Sequence, residues 1–510
     1  GLSLPAPAPG RKDTTGEGGS MAEMWIDGRA VPAQDGRRFE VNNPATEDVV
    51  DDAPRGSSAD IEKAVAAARR AFGEWRRTPG IERAEKLHHA AAKIREDREG
   101  LSILLTREGG KPLPENRDEV EWIAACFDYY AEIGRDTVGK VISPVARNQF
   151  NFVIKEPYGV CGLIVPWNYP LLLLSWKLAP ALAAGNTVVA KPSEHTPLST
   201  LRLMKAFEAF PEGCVNVVTG YGAEAGVPLV THPEVDVVAF TGSQATGRRV
   251  AVACAEQLKK CHLELGGNDP FIVDEGVDLE VAARGAAWAS FLNMGQVCTS
   301  AERFYIVGKV FDEFVDRFVA VARSLRIGDP LGPDVDLGPM IHGGQRDAVE
   351  RRIAESVSQG AKVVSGGGRP KGFEKGFFFE PTTLVNIRPE MRLMREETFG
   401  PVAPLVRCRD IDEAIALADA SEYGLGATIY TNNLEHAMKA MEAIHAGTFW
   451  INDPLTDNDA GPFGGMRKSG IGRELGSEGI DDFRDSKHVH MDYVIGAKSY
   501  WYPYRYDRPK

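Results

Sequence analysis

Between Val160 and Ser243, four short apolar runs, "VCGLIVP", "NTVVAKP", "VNVVTG" and "VDVVAFTGS", alternate with helical stretches. One helix opens at Pro170 and ends near Gly185, a second runs from Leu198 to Phe210, and a third lies near Ala223 to Val230. Proline costs a helix least at its first position, which suits Pro170. Val- and Ile-rich strands without polar alternation are buried on both faces, and strands joined through helices lie parallel. This pattern predicts a doubly wound α/β sheet of the nucleotide-binding type.

That sheet is only part of a chain of 510 residues, which is too long for one core and predicts two or three domains. Upstream, Ile61, Val65, Ala68 and Phe72 recur three or four apart, giving helices from Ala59 to about Gly134 with Ser58 as N-cap. "RNQFNFVIKEP" then reads as a strand through Phe152 and Ile154. Downstream, the glycine pair Gly266–Gly267 marks a domain boundary, after which strand and helix signals resume: "RFYIVG", a helix over 310–325, and "AKVVSGG". The last segment alternates through Val489, Met491 and Tyr493, then fills with aromatic residues. Residues 1–20, rich in Pro, Gly and Ser, read as a disordered leader or expression remnant without the arginine-rich pattern of a transit peptide.

Charge and cysteine usage narrow the function. A net charge of -13 argues against binding nucleic acid or an anionic membrane surface. Seven cysteines, at 126, 161, 214, 254, 261, 298 and 408, form no CxxC pair, so neither a disulfide framework nor a cysteine-based zinc site is expected, and no metal is called for. No run approaches the roughly 20 apolar residues of a membrane span. A cytoplasmic protein acting on a small molecule is the expectation.

Several short stretches carry chemistry. In "GQVCTS", Cys298 is either a reactive nucleophile or a small buried residue that happens to contain sulfur. "HLELGG" sets Glu264 in an apolar strand, where a partly desolvated carboxylate gains general-base character, unless it is a salt-bridged structural residue. "VPWNYP" places Asn168 at a strand end, as a donor to a developing oxyanion or as a turn former. "FTGSQATG" ends a strand and opens a helix, with Gly242 and Gly247 allowing close backbone approach to phosphate. "AKPSEHTP" puts Lys191 and Glu194 past another strand, suited to ribose hydroxyls and unfavourable to a 2′-phosphate, or simply a solvated loop. "EETFGP" and "PFGGMRKSGIGRELG" add glycine-bearing stretches with no local structural purpose.

Taken in order, "VPWNYP", "KPSEHTP", "FTGS", "ELGGNDP", "GQVCTS", "EETFGP" and "PFGG…SGIGRELG" resemble the aldehyde dehydrogenase superfamily over Met21 to about Lys487. The resemblance implies a Rossmann-type NAD-binding domain (21–139 and 159–265), an α/β catalytic domain (266–470) and a β oligomerisation arm (140–158 and 471–510). It implies Cys298 as nucleophile, Glu264 as general base, and Asn168 with the Cys298 backbone N–H as oxyanion hole. Lys177 and Glu474 match further residues near the site, the latter in a proton or water path. For NAD it implies Ile164, Pro166, Trp167, Lys191, Ser193, Glu194, Gly222, Phe240, Gly242, Ser243, Gly247, Leu265, Gly266, Glu397 and Phe399.

The implied reaction is NAD-dependent oxidation of an aldehyde to the free acid through a cysteine thiohemiacetal and thioester. Tyr169, Leu173, Trp176, Val297, Thr299, Asp457 and Phe463 match the substrate tunnel. Aromatic rings attract cations, and Asp453, Asp457 and Asp459 add negative charge, so an aminoaldehyde or betaine-like substrate is expected. A neutral aldehyde, a thiol hydrolase and a catalytically silent structural member are the rivals. The family's arm implies a homodimer or homotetramer, and Tyr500, Trp501, Tyr502, Tyr504 and Tyr506 are expected to pack on a neighbour or shape a tunnel mouth.

Overall fold

The computed structural model describes residues 21–136 and 139–504; the leader (1–20) and Tyr506 lie outside the described residues. The four apolar runs and the strand carrying Glu264 form the parallel centre of an eight-stranded sheet. Its order is Gly470–Ile471, Lys260–Leu265, Val237–Gly242, Val160–Ile164, Thr187–Lys191, Val215–Val217, Met24–Ile26 and Arg29–Val31. Side chains alternate between two cores, Cys161, Leu163, Val188 and Ala239 packing on one face and Val160, Val189, Val238 and Phe240 on the other. The chain starts at Val160–Ile164, builds outward through Thr187–Lys191 and Val215–Val217, then returns to add Val237–Gly242 on the other side. Strand order therefore reverses between Ile164 and Phe240, and a crevice opens where the helices diverge beyond these strand ends.

A second sheet of seven strands, from Lys362–Ser365 through Val402–Cys408, Ala301–Val307 and Asp269–Val273 to Thr448–Ile451, is parallel except at its Lys362–Ser365 edge. Asp269 begins it four residues after Leu265 ends its strand, so the expected boundary at Gly266–Gly267 falls on the crossing between the sheets. A third, antiparallel sheet joins Lys140–Ile142, Gln149–Pro157 and Arg484–Asp492. No helix among the described residues is long and apolar enough to cross a membrane.

Four boundaries differ from the sequence reading. The first long helix, Ser58–Trp75, is capped by Ser57, not Ser58: the Asp60 carboxylate accepts from the Ser57 N–H and hydroxyl, both at 2.9 Å. The stretch expected as one helix over 198–210 is an α-helix, Pro197–Leu203, that tightens into a 3₁₀ turn, Met204–Phe207. The helix expected near 223–230 is a π turn, Gly222–Gly226, followed by Val227–Thr231. The C-terminal part of the arm starts at Arg484 rather than 471, because Gly470–Ile471 pairs with Leu263 and Glu264 at the edge of the first sheet.

Candidate active site

Cys298 follows a turn that few sequences tolerate. Asn293, Met294 and Gly295 take φ values of 47°, 60° and 68°, three consecutive left-handed residues, a conformation that persists only when its surroundings over-determine it. Here they do. The Asn293 amide donates to the Asn168 carbonyl (3.1 Å), the Asn168 amide donates to the Gln296 carbonyl (3.0 Å), and Gln296 Oε1 accepts from the Ile341 N–H (3.0 Å). Gly295 is required by space as well as by φ, since a Cβ there would stand 2.3 Å from the Gly400 carbonyl oxygen. Space alone demands glycine at Gly267, where a Cβ would stand 2.3 Å from the Cys298 carbonyl oxygen.

Three cavities follow one another, the second and third meeting at Cys298. One, of about 490 Å³, lies over the strand ends at the point where strand order reverses and is lined by Ile164, Pro166, Lys191, Ser193, Glu194, Gly222 and Phe240. The second, of about 460 Å³, shares Pro166 and Thr241 with it and runs past Trp167, Gly242, Ser243, Leu265, Gly266, Glu397 and Phe399 to Cys298. The third, of about 510 Å³, approaches Cys298 from the other side and contains all the expected tunnel residues: Tyr169, Leu173, Trp176, Val297, Thr299, Asp457 and Phe463. Asn168, Leu173 and Cys298 line both the second and the third.

The first two cavities suit a long, phosphate-bearing ligand. Ser243 caps the helix Gln244–Glu256, whose open N-terminus faces the cavity wall. Lys191 Nζ donates to the Pro192 carbonyl (2.8 Å) and stands 3.9 Å from Glu194. Glu397 accepts from the Gly267 N–H (3.2 Å), and a Cβ on Gly266 would come within 2.1 Å of its carboxyl group. The Trp167 and Phe399 rings meet edge to face at 5.5 Å. Gly247 is the exception among the expected cofactor residues. It lines none of the three cavities, and a Cβ there would meet Leu265 Cδ2 at 2.4 Å, so its place is to let the helix close on the strand.

Behind Cys298 lies a set of buried ionisable groups. Lys177 is the one charged residue of the buried helix Pro170–Ala184; its ammonium pairs with Glu474 and donates to Thr241 Oγ1 at 2.5 Å. Neither Lys177 nor Glu474 lines a cavity. Neither carboxyl oxygen of Glu264 has a hydrogen-bond partner; His262 Nε2 stands 4.0 Å from Oε1, but burial lowers the His262 pKa to about 3, so no charge there supports the salt-bridged reading. Burial, then the Glu474 charge, raises the Glu264 pKa well above the ordinary range against the pull of Lys177. Its carboxyl group packs on Gly464 and Gly470 and lines neither cavity at Cys298. Burial, then the charges of Glu264, Asp269, Glu397 and Asp457, likewise pushes the Cys298 thiol up.

The third cavity is aromatic on one side and acidic on the other. Trp176 and Phe463 meet at 4.9 Å, and Tyr169 is backed by Lys111, whose Nζ stands 3.5 Å from the ring centroid. Asp453, Asp457 and Asp459 come from one loop, tied down where the Trp450 indole donates to the Thr456 carbonyl at 2.8 Å. Asp457 stands exposed at the cavity mouth, where the surrounding wall, then the Asp459 charge, raises its pKa above the ordinary carboxylate value. Sequence reasoning missed Trp122, Trp288 and Tyr430, which complete the aromatic collar, and Arg284, the one cation lining it, held by Glu280 at 2.9 Å. It also missed Thr241, Gln345 and Arg352 in the second cavity and Arg249 in the first. A helical tryptophan such as Trp122 has no local signature separating cavity wall from core.

The sequence profile of the aldehyde dehydrogenase family matches residues 30–489. A rice protein named betaine aldehyde dehydrogenase 1 is 43% identical over 477 residues, covering 92% of this chain and 94% of its own. A maize protein named aminoaldehyde dehydrogenase 2 is 42% identical, covering 89% and 92%. The crystal structure of betaine aldehyde dehydrogenase from Staphylococcus aureus in complex with NAD+ superposes with a TM-score of 0.92 at 35% identity, covering 94% of this chain and 96% of that one.

Proposed function

The chain belongs to the aldehyde dehydrogenase family, oxidises aldehydes with NAD as cofactor, and from that premise we propose which residues do the chemistry and on which aldehyde. The single observation that carries the reading is the position of Cys298, where a phosphate-accommodating pair of cavities meets an aromatic one. Lys191, Glu194, Ser243 and Glu397 hold NAD, which when bound supplies the hydride acceptor and the positive charge of its ring. Acidic Glu194 at the ribose end disfavours a 2′-phosphate.

The Cys298 thiolate adds to the aldehyde carbon, and the second N–H of the Asn168 amide, not used by Gln296, donates to the oxyanion together with the Cys298 backbone N–H. A donor of this kind is worth about 3 kcal/mol of transition-state energy. Loss of hydride leaves a thioester, which water hydrolyses to the free acid. Glu264 activates that water after its side chain turns out of its buried pocket toward Cys298. The pocket keeps it a neutral acid, and ionisation follows exposure to the wet cavity. Lys177 and Glu474, an ion pair buried behind the cavities, offer the route by which the proton leaves.

The substrate is an aldehyde with a cationic far end, an aminoaldehyde or betaine aldehyde. Aromatic rings at Tyr169, Trp176 and Phe463 and the carboxylate of Asp457 support it. The three-stranded sheet, which leaves Val141, Phe150 and Met491 in solvent, pairs across subunits in a dimer or tetramer. The seven free cysteines suit a reducing compartment, which we take to be the cytoplasm. Cys298→Ala is expected to abolish both dehydrogenase and esterase activity, and Glu264→Gln to give one burst of NADH and then stall. Steady turnover by either variant in a stopped-flow absorbance assay refutes the assignment.

A further inference from the structure

Residues Glu396 to Phe399 lie in no helix or strand; the Glu396 N–H donates to the Arg392 carbonyl at 2.9 Å, and the other backbone polar groups of the turn are satisfied by side chains from elsewhere. The Glu397 N–H donates to the Tyr423 hydroxyl at 3.3 Å. Arg352 donates to the carbonyls of Glu396 and Glu397, and Gln345 donates to the carbonyl of Phe399 at 2.9 Å. The two remaining amides converge on one carboxylate. The Thr398 N–H donates to Glu302 Oε2 and the Phe399 N–H to Glu302 Oε1, both at 2.7 Å, while the Asn268 amide adds a third bond at 3.0 Å. Phe399 sits at φ 51°, a left-handed conformation that a non-glycine residue keeps only under such constraint.

Glu302 is 2% exposed, four residues past Cys298 on the strand Ala301–Val307, and touches no cavity. Nothing in the reaction uses it. Burying a carboxylate is costly unless its oxygens are satisfied, and here two of its three bonds hold the segment carrying Glu397 and Phe399, while the third comes from the Asn268 side chain.

We propose that Glu302 is a positioning residue for cofactor binding, its two carboxylate oxygens clamping the Thr398 and Phe399 amides so that Glu397 faces the ribose of the nicotinamide half and Phe399 packs beside Trp167. This inference rests on the assignment of Glu397 to the cofactor. A clamp that fixes the turn before binding raises affinity by removing the cost of ordering it. The clamp needs two acceptors: in Glu302→Gln one of the two positions becomes an NH₂ group facing an N–H donor, whereas Glu302→Asp keeps both acceptors on a shorter stem.

The test has two readouts. By fluorescence titration, Glu302→Gln is expected to raise the Kd for NADH by roughly tenfold with the aldehyde KM within about twofold of wild type, and Glu302→Asp to recover part of the loss. In the wild-type protein without cofactor, the Thr398 and Phe399 amides are expected to exchange with deuterium as slowly as amides inside the neighbouring strands. Unchanged NADH affinity in both variants overturns the proposal. So does free exchange at Thr398 and Phe399 in the wild-type protein, which needs no variant to fold. If Glu302→Gln leaves NADH affinity intact while Glu397→Gln also does, the cofactor assignment of Glu397 fails; if only Glu302→Gln is silent, the clamp alone fails.

Discussion

At the residue scale, the proposed role of Asp457 in substrate preference can be tested by pH. The Asp457 pKa of about 7 means that it gains charge as pH rises through neutrality, so attraction for a cationic aldehyde grows over the same range. The ratio of kcat/KM for an aminoaldehyde over a neutral aldehyde of equal length is expected to rise between pH 6 and 8. In Asp457→Asn that ratio should fall by about twofold to fivefold, the loss of one solvent-exposed charge pair, and become flat with pH. A second expectation concerns Lys177. Removing one member of a buried ion pair leaves the other uncompensated, so Lys177→Met should cost about 3–5 kcal/mol in urea unfolding, and Lys177→Met/Glu474→Leu should recover much of it. Cys298, Glu264 and Asn168 were nameable from the chain because each stands in a motif. The Lys177–Glu474 pairing was not, since the two are 297 positions apart and only folding brings them together.

Elements reveal a different balance. Strands near the site were legible because Val and Ile on both faces demand burial, and because Pro170 and Gly185 punctuate the helix between them; Gly185 indeed takes φ 98°. Helix ends were less legible, as the single-residue shift from Ser58 to Ser57 illustrates: either serine can cap, and the choice depends on where Asp60 points. The helices Gly80–Glu96 and Leu113–Asp136 offer a test of electrostatics at this scale. His88 bridges Asp128 at 2.6 Å and Glu132 at 2.7 Å. Burial lowers its pKa, but the two carboxylates outweigh that and raise it above 6.5. A raised folded pKa stabilises the protonated form, so this contribution is complete below about 6.5, the unfolded value, and is lost as pH rises through the folded value. The stability difference between wild type and His88→Ala, followed by denaturant unfolding from pH 5 to 9, should therefore be largest at the acid end.

At the scale of the whole molecule, the arm and tail are the open surfaces. Arg484–Asp492 pairs along its full length with Gln149–Pro157, and beyond it Tyr500, Trp501 and Tyr502 stay more than half exposed. Exposed rings in a row mark a contact surface, so truncation after Gly496 is expected to lower the assembled mass in analytical ultracentrifugation or alter the substrate profile; no change in either would leave the tail without a role. The sequence by itself determined the parallel sheet, the order of the motifs and which residues are proposed to touch the reacting atoms, because burial periodicity and short motifs are local properties of the chain. Only the tertiary structure decided what surrounds them. That Cys298 joins two cavities, that Trp122 and Trp288 face one of them, that Glu264 rests away from the thiol, and that Glu302 clamps the turn at Thr398 all depend on residues tens to hundreds of positions apart. Such contacts are chosen by packing and by the need to satisfy buried polar groups, which no local pattern records.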